Sequence, residues 1–396
     1  MTDALDGTNS SDYADCSWFT KLEDLRNEVA TGAFRTASYL TDPICKSHEF
    51  YRRLYVVEEL NPTSSKVVNL VRKFFLFAGL LGYAFLATFA TLPGIALRFL
   101  ASHSQKVPFL YSQGESPIKT LSNDRTFSLL SWNICCAIGG YAISDGGVVP
   151  WPFRIDDIID KIVEKDADVN CIYETHDTES AFYICEKLQQ KGYAHFYFNI
   201  GPMAVGVSSG ILVASKYEIK NPEFTLFPQD SLVGRTKYAA KGVFAFDLTS
   251  GGNPFATVLT SHLQHSEEPE FPTAEEIEAR RKQMNIIVEK AEGVKDRCVV
   301  VTGDLNLDDN EYRASTWHTR FQKGDQFAGK TWGGDAFCAH MVGKQISVPL
   351  NLDHTMILSG TTRSISTTLV ETGFDGALFK KEALSDHAGL FSWIAV

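Results

Sequence analysis

The stretch 298-CVVVTGDLNLDD-309 sets a run of β-branched residues directly against two short polar side chains, Asp304 and Asn306, spaced two apart. Such a run closed by a glycine reads as a buried strand, and residues just past the C-terminal end of a buried strand lie at the mouth of an α/β core. Asp304 and Asn306 then face the same way, because side chains on an extended chain alternate with a period of two. An Asx turn capping the next segment explains the same pair more simply. What separates the two readings is whether other strands end in partners for them.

The sequence predicts further strands at 126-TFSLLSWNI-134, 169-VNCIYE-174, 209-SGILVAS-215, 242-GVFAFDL-248, 255-FATVLTSHL-263, 351-NLDHTMIL-358 and 390-LFSWIAV-396. Helices are predicted at about 154–165, 179–192 and 273–291, the last with Thr273 as N-cap and an acidic first turn. Many strands with few helices imply an α/β architecture of two packed sheets with helices outside. Polar residues collect where these strands run out: Asn133, Glu174, His262, Asp304 with Asn306, Asp353, and Asp386 with His387. One such residue is ordinarily a cap or a satisfied core group. So many are different, because burying unpaired polarity costs kilocalories per group unless a metal or a substrate satisfies it.

A chain of 396 residues, 44% hydrophobic and 21% charged, is globular and long enough for one large domain with an appendage. Its formal net charge of -11 disfavours a nucleic-acid partner, since phosphate-backbone affinity needs a basic surface. The 8 cysteines are scattered without a CxxC pair and read as thiols in a reducing compartment. The polar, acidic N-terminus MTDALDGTNSSDYADC lacks the pattern of a secretory signal. The sharpest break is 74-FFLFAGLLGYAFLATFATLPGIAL-97, which carries no charge. As a helix rising about 1.5 Å per residue it is long enough to cross a hydrocarbon core of roughly 30 Å. The chain is thus expected to divide into a polar N-terminal region (1–66), a hydrophobic membrane segment (67–101), a Ser/Pro/Gly-rich linker (102–124) and a catalytic domain (125–396). Pro93-Gly94 leaves a re-entrant hairpin and a full span both open.

The order SWN, YE, SGILVASKYEI, SHLQ, GDLN, a central Asp353 and SDH over residues 125–396 resembles the endonuclease/exonuclease/phosphatase superfamily. The fold this resemblance implies is a four-layer α/β sandwich. Within the superfamily, SGILVASKYEI, SHLQ and the lysine-glycine loop 238-YAAKG-242 resemble the membrane-anchored neutral sphingomyelinases, as does LATFATLPGIALRFLASHSQKVPFLYS beside the hydrophobic segment. Tyr173 stands where that pattern usually has Gln or Asn, and His354 where Tyr commonly follows the strand Asp. The acid usually found shortly before the loop lysine is missing.

The resemblance implies a membrane-associated, Mg²⁺-dependent phosphodiesterase, with Mn²⁺ as an alternative cation, that cleaves sphingomyelin to ceramide and phosphocholine. A hard divalent cation held by few carboxylates suits a phosphodiester, whose charge repels nucleophiles. Glu174 is the best ligand candidate, with Asn133 beside it. His387 is the best general base because imidazole titrates near neutral pH, and the family pattern implies that Asp353 orients it. Asp304 and Asn306 are expected to hold the attacking water and a phosphate oxygen, His262 to stabilise developing charge, Asp386 to support the metal site, and Lys241 to bind substrate. His176 and His265 are expected to be merely solvated, 194-AHFYFNIG-201 to be core, and 145-DGG-147 and 333-GGD-335 to be turns. The expected partners are a membrane lipid substrate and an acidic phospholipid activator, with no nucleic acid and no protein partner inferred, and a catalytic domain on the cytoplasmic side. A nuclease, an inositol phosphatase and a non-catalytic membrane scaffold are the alternatives. The first is opposed by the net charge, the second by the run GDLNLD in place of GDLNYR, and the third by the presence of the main catalytic residues.

Overall fold

The computed structural model describes residues 11–55, 57–60, 63–105, 107–136, 151–176, 178–202, 207–294, 296–324, 329–334, 348–361, 364–375 and 380–396. The turn expected at 145–147, and the last residue of 333-GGD-335, lie outside them. The helices are α1 (Ser11–Tyr55), α2 (Val57–Leu60), α3 (Lys66–Ser104), α4 (Ile155–Lys165), α5 (Thr178–Gln189), α6 (Ala274–Gly293) and α7 (Asp309–Ala314). The strands are β1 (Leu110–Gln113), β2 (Thr126–Asn133), β3 (Val169–Tyr173), β4 (His195–Phe198), β5 (Leu212–Ser215), β6 (Glu218–Leu226), β7 (Gly242–Ser250), β8 (Asn253–His262), β9 (Cys298–Asp304), β10 (Phe321–Lys323), β11 (Asp353–Leu358), β12 (Ser364–Val370), β13 (Gly373–Asp375), β14 (Lys380–Ala383) and β15 (Gly389–Ala395).

Two mixed sheets carry the fold, one of seven strands in the order β1-β4-β5-β3-β2-β15-β12 and one of six in the order β10-β11-β9-β8-β7-β6. Strand alternation sorts their side chains into three cores. Val299 and Val301 pack with Met284, Ile287 and Ala291 of α6, while Val300 between them faces the other sheet beside Phe244, Val258 and Ile357. This two-sided burial is why β9 reads as an unbroken apolar run. On the far side, Leu130, Trp132, Ile172 and Leu212 pack against Ile158 and Ile162 of α4 and Ala181, Ile184 and Leu188 of α5. Helix, sheet, sheet, helix is the four-layer sandwich that the resemblance implies. The α6 cap also forms as expected: Glu276 N–H donates to Thr273 Oγ1 at 3.3 Å, and Thr273 N–H to Glu276 Oε2 at 2.8 Å.

The N-terminal third differs from its expectation. Residues read as a polar region with helical patches form the 45-residue α1, which continues through Pro43 and lies along α3. Gly94 makes that approach possible, since a Cβ there would stand 2.8 Å from Thr41 Cγ2. Ala30 and Phe34 of α1 and Ala101 of α3 join the α4–α5 core, Arg35 lies 4.6 Å over the Phe182 ring, and Asn27 Nδ2 donates to Tyr111 O at 3.2 Å. The stretch read as a linker also contributes β1, an edge strand paired with β4. α3 is one continuous helix through Pro93-Gly94. Its most apolar 18 residues have a mean hydropathy of 1.9 with 0% buried.

Candidate active site

Strand register assembles the site. β2 and β3 run parallel with Asn133 opposite Tyr173, so Glu174, the next residue, comes beside Asn133. Glu174 takes a left-handed φ of 62°, which turns its carboxyl back over the strand end. β8 and β9 are parallel with His262 opposite Asp304, and β11 is antiparallel to β9 with Asp353 opposite Asp304. Asp304 therefore sits between the two at the centre of one sheet. His387 arrives from the loop before β15, its carbonyl accepting from Trp132 Nε1 at 2.8 Å. Ser385 Oγ donates to Asn133 O at 2.6 Å and ties that loop to β2. Arg154 fastens the same junction: its buried guanidinium donates to Ile134 O at 2.7 Å and also to Leu384 O and Cys135 O.

The side chains then meet. Asn133 Nδ2 donates to Glu174 Oε1 and to Asp304 Oδ2, each at 2.9 Å. His262 Nε2 lies 3.6 Å from Asp304 Oδ2 and 3.9 Å from Glu174 Oε1. His387 Nδ1 hydrogen-bonds Asp353 Oδ2 at 2.7 Å, leaving Nε2 3.7 Å from Asp304 Oδ2. Asp304 Oδ1 accepts from Asn306 N–H at 3.1 Å, so the Asx turn is present as well. Asn306 lies past the end of β9 with a left-handed φ of 50°, so the alternation of an extended strand does not place its side chain. Asn306 Nδ2, His262 Nδ1 and Asp353 Oδ1 are buried without a hydrogen-bond partner. Such groups are costly in a folded protein unless something else binds them.

Two buried acids, Asp304 and Asp353, and two half-buried ones, Glu174 and Asp386, crowd this space. Burial pushes the Asp304 carboxyl up to about 7, against the pull of His387 and with the help of Asp353 and Glu174. Burial likewise raises Asp386, opposed by His387. For His387, burial acts downward, yet Asp353, Asp304 and Asp386 outweigh it and hold the imidazole well above its ordinary value. Burial depresses Lys241 to about 8 despite Glu174 and Asp304, and the side chain is 3% exposed. His262 is driven well down by burial and by Lys241 and His176. The excess of carboxylate over fixed cation suits a divalent metal ion. Glu174, His262 and Asp304 can each offer one ligand atom within 4.8 Å of the others, as can Asp304, Asp353 and His387.

The residues singled out in the sequence thus converge, and one further residue joins them. His176 is not merely solvated: it is partly buried, its ring lies 6.3 Å from that of His262, and its Nδ1 is buried without a partner. Gly210, at φ +74°, makes room for it, since a Cβ there would meet His176 Cε1 at 2.6 Å. No spacing rule flags a histidine three residues past a strand end. His265 lies at the rim, half-exposed, 3.0 Å from Thr236 Oγ1. The two unusual residues point away from the site. Tyr173 places its hydroxyl between the sheets, 2.8 Å from Thr260 Oγ1. His354 turns to the helix side, bonded to Leu307 O at 2.7 Å and stacked on Tyr312.

A two-sheet sandwich thus gathers acids, amides and imidazoles at its strand ends, a donor set suited to a divalent cation. The family model for the Endonuclease/Exonuclease/phosphatase family matches residues 130–387, which is most of the chain and includes every residue of the site. The chain belongs to that family. Among solved structures, the fold is similar to a beta toxin mutant from Staphylococcus aureus with bound magnesium ions, at 18% identity and TM-score 0.54, covering 67% of this chain and 99% of that one. It is similar to sphingomyelinase C from Streptomyces griseocarneus at 17% identity and TM-score 0.54, covering 68% and 99%. It is also similar to D. rerio TDP2 complexed with a single strand DNA product, at 16% identity and TM-score 0.50, covering 68% and 99%. No curated protein matches the chain in sequence.

Proposed function

We propose that the chain is a membrane-associated, Mg²⁺-dependent phosphodiesterase that hydrolyses sphingomyelin to ceramide and phosphocholine, its catalytic domain on the cytoplasmic side. The observation that carries the reading is the linked set of Asn133, Glu174, Asp304, His387 and Asp353 at adjacent strand ends. The sphingomyelinase-like motifs and the similarity in fold to sphingomyelinase C support the substrate. The exposed apolar α3 supports the membrane. The cysteines Cys135, Cys171 and Cys185 are buried free thiols, which supports a reducing compartment. As partners we propose the membrane lipid substrate and an acidic phospholipid activator.

Glu174 with Asn133 would hold the cation, Mg²⁺ or Mn²⁺. When bound, it neutralises phosphate charge and eases deprotonation of water. Asp353 fixes the His387 tautomer by accepting from Nδ1 and, with Asp304 and Asp386, favours the protonated ring, so Nε2 would take a proton from the attacking water once a bound cation offsets those carboxylates. Asp304 holds that water, and the unpartnered Nδ2 of Asn306 donates to a phosphate oxygen. Lys241 adds positive charge beside the phosphate. His262 faces the leaving oxygen of ceramide; as the water oxygen joins phosphorus the P–O bond to ceramide breaks, the ceramide oxygen takes a proton from solvent, and His387 later returns the water's proton to solvent. Full-length protein in detergent micelles should release phosphocholine from sphingomyelin with Mg²⁺ and not in chelator. Much faster turnover of a phosphoinositide or of DNA in the same assay would replace the substrate and keep the site.

A further inference from the structure

Where β10 ends, a separate cleft of about 620 Å³ opens beside α7 and wraps onto the helix side of the six-stranded sheet. Arg313, His318, Lys323 and Lys330 all line it. One carboxylate offsets them: Asp309, which accepts from Lys330 at 3.1 Å and from Asn351 at 2.9 Å, and lies 3.6 Å from Lys323. Asp353 is a second carboxylate at its wall; His387 engages its Oδ2 and leaves Oδ1 unpartnered, so Arg313, Lys323 and Lys330 outnumber the acids three to two. Among the described residues neither Arg313 nor His318 makes an ion pair. The Lys323 ammonium stands 3.9 Å from the centroid of the Tyr312 ring. Burial pushes Lys323 down to about 8 even with Asp309 beside it, and Arg313 and Lys330 repel it further. In a chain with a net charge of -11, cations brought together against their mutual repulsion call for an anion between them.

We infer that this cleft binds a phosphate-bearing anion, held by Arg313, Lys323 and Lys330. Guanidinium and ammonium donors at one rim match the several acceptor oxygens of a phosphate. The aromatic floor of Tyr312 and the walls from Phe321 and Leu390 leave room for the group that carries it. The phosphate can belong to an acidic lipid headgroup or to a soluble phosphate, and the chemistry recognised is the same. His354 lines the cleft and directly follows Asp353 in β11, so an occupant would sit one residue from the group that orients His387.

The test is titration of full-length protein in neutral detergent and chelator with inorganic phosphate and, separately, with dihexanoyl phosphatidic acid, followed by calorimetry. Chelator suppresses phosphate capture by the catalytic centre. Wild type should bind saturably, and Arg313→Ala/Lys323→Ala should weaken binding by at least roughly tenfold. Arg281→Ala/Lys282→Ala on α6 should not. Arg313→Ala alone, at an exposed side chain, serves if the double variant misfolds, and should weaken binding several-fold. Tighter binding of phosphatidic acid than of phosphate assigns the lipid source, and equal binding assigns a soluble one; both sustain the cleft. Absence of saturable binding, or equal binding by wild type and Arg313→Ala/Lys323→Ala, overturns it. Phosphodiesterase turnover is a separate readout, so failure there leaves this result standing.

Discussion

The catalytic sandwich and helix α3 fail to satisfy themselves in opposite ways. In the sandwich, apolar residues such as Val300, Phe244 and Trp132 are 0% exposed, and what lacks a partner is polar: Asn306 Nδ2, His262 Nδ1 and Asp353 Oδ1. In α3 the excess is apolar, with Phe74 67%, Phe85 65%, Phe89 68% and Leu92 73% exposed. Each deficit names the chemistry that completes it. Strand-end polarity is completed by a polar or charged ligand, whereas an uncovered apolar helix is completed by an apolar cover.

The harshest way to break this comparison is to put a carboxylate into both regions. Val300→Asp buries an unpaired charge between two sheets, costs several kcal/mol or more, and should abolish the folded domain. Phe85→Asp should leave the thermal transition of the sandwich unchanged while reducing retention on membranes washed with carbonate; equal effects of the two would erase the distinction. Next in size, Glu174→Gln should lower turnover by roughly a thousandfold, consistent with loss of an electrostatic contact to the reacting centre. It should lower the melting temperature in chelator slightly, because against burial His176, Asn133, His387 and Lys241 hold the Glu174 carboxyl below its usual range and so favour its charge in the folded state. His387→Ala should cost roughly a hundredfold in kcat with little change in KM, and Asp353→Asn part of that, by misorienting the imidazole. An unchanged kcat in His387→Ala would move the base elsewhere.

The smallest effect concerns acid stability. His354 is 3% exposed and burial pushes its pKa down to about 3, below the usual value near 6.5 in an unfolded chain. Between those values the unfolded state binds the extra proton, so the contribution is fully present above about pH 6.5 and is lost as pH falls. Urea unfolding at pH 7 and pH 5.5 should show a slope shallower by up to about 1.4 kcal/mol per pH unit in His354→Leu than in wild type. Parallel slopes would mean that His354 is not held neutral.

The parts of the fold that could be read in advance are those where a strand is buried on both faces or a helix has a stripe. Cys298–Asp304 and Ile155–Lys165 are examples, and the polar strand ends followed directly from the first kind. The edge strands escaped notice. β6 is mostly polar, runs through Pro222 and is interrupted at Asn221 with φ 49°, while β12 alternates Ser and Thr with apolar residues at the sheet margin. Nothing local distinguishes such segments from loops, because pairing on one side supplies their order. α1 was hidden for a related reason: its buried face is defined by packing on α3 and α5, which no local pattern in α1 reveals. His176 belongs to the site through Gly210, a neighbour created only by the register of β3 and β5.

The place of β15 in the seven-stranded sheet has a consequence for how the chain is made. It lies inside the sheet, hydrogen-bonded to β2 on one side and β12 on the other, although more than 250 residues separate it from β2 in sequence. During translation β2 therefore emerges early and waits with one edge bare until the ribosome has released residues 389–396. A waiting edge of that length is a template for mispairing with other nascent chains. Holding factors that shield exposed strands during synthesis should raise the folded yield. Premature stops just before Gly389 should give aggregates, because the missing piece is an interior stave and not a tail.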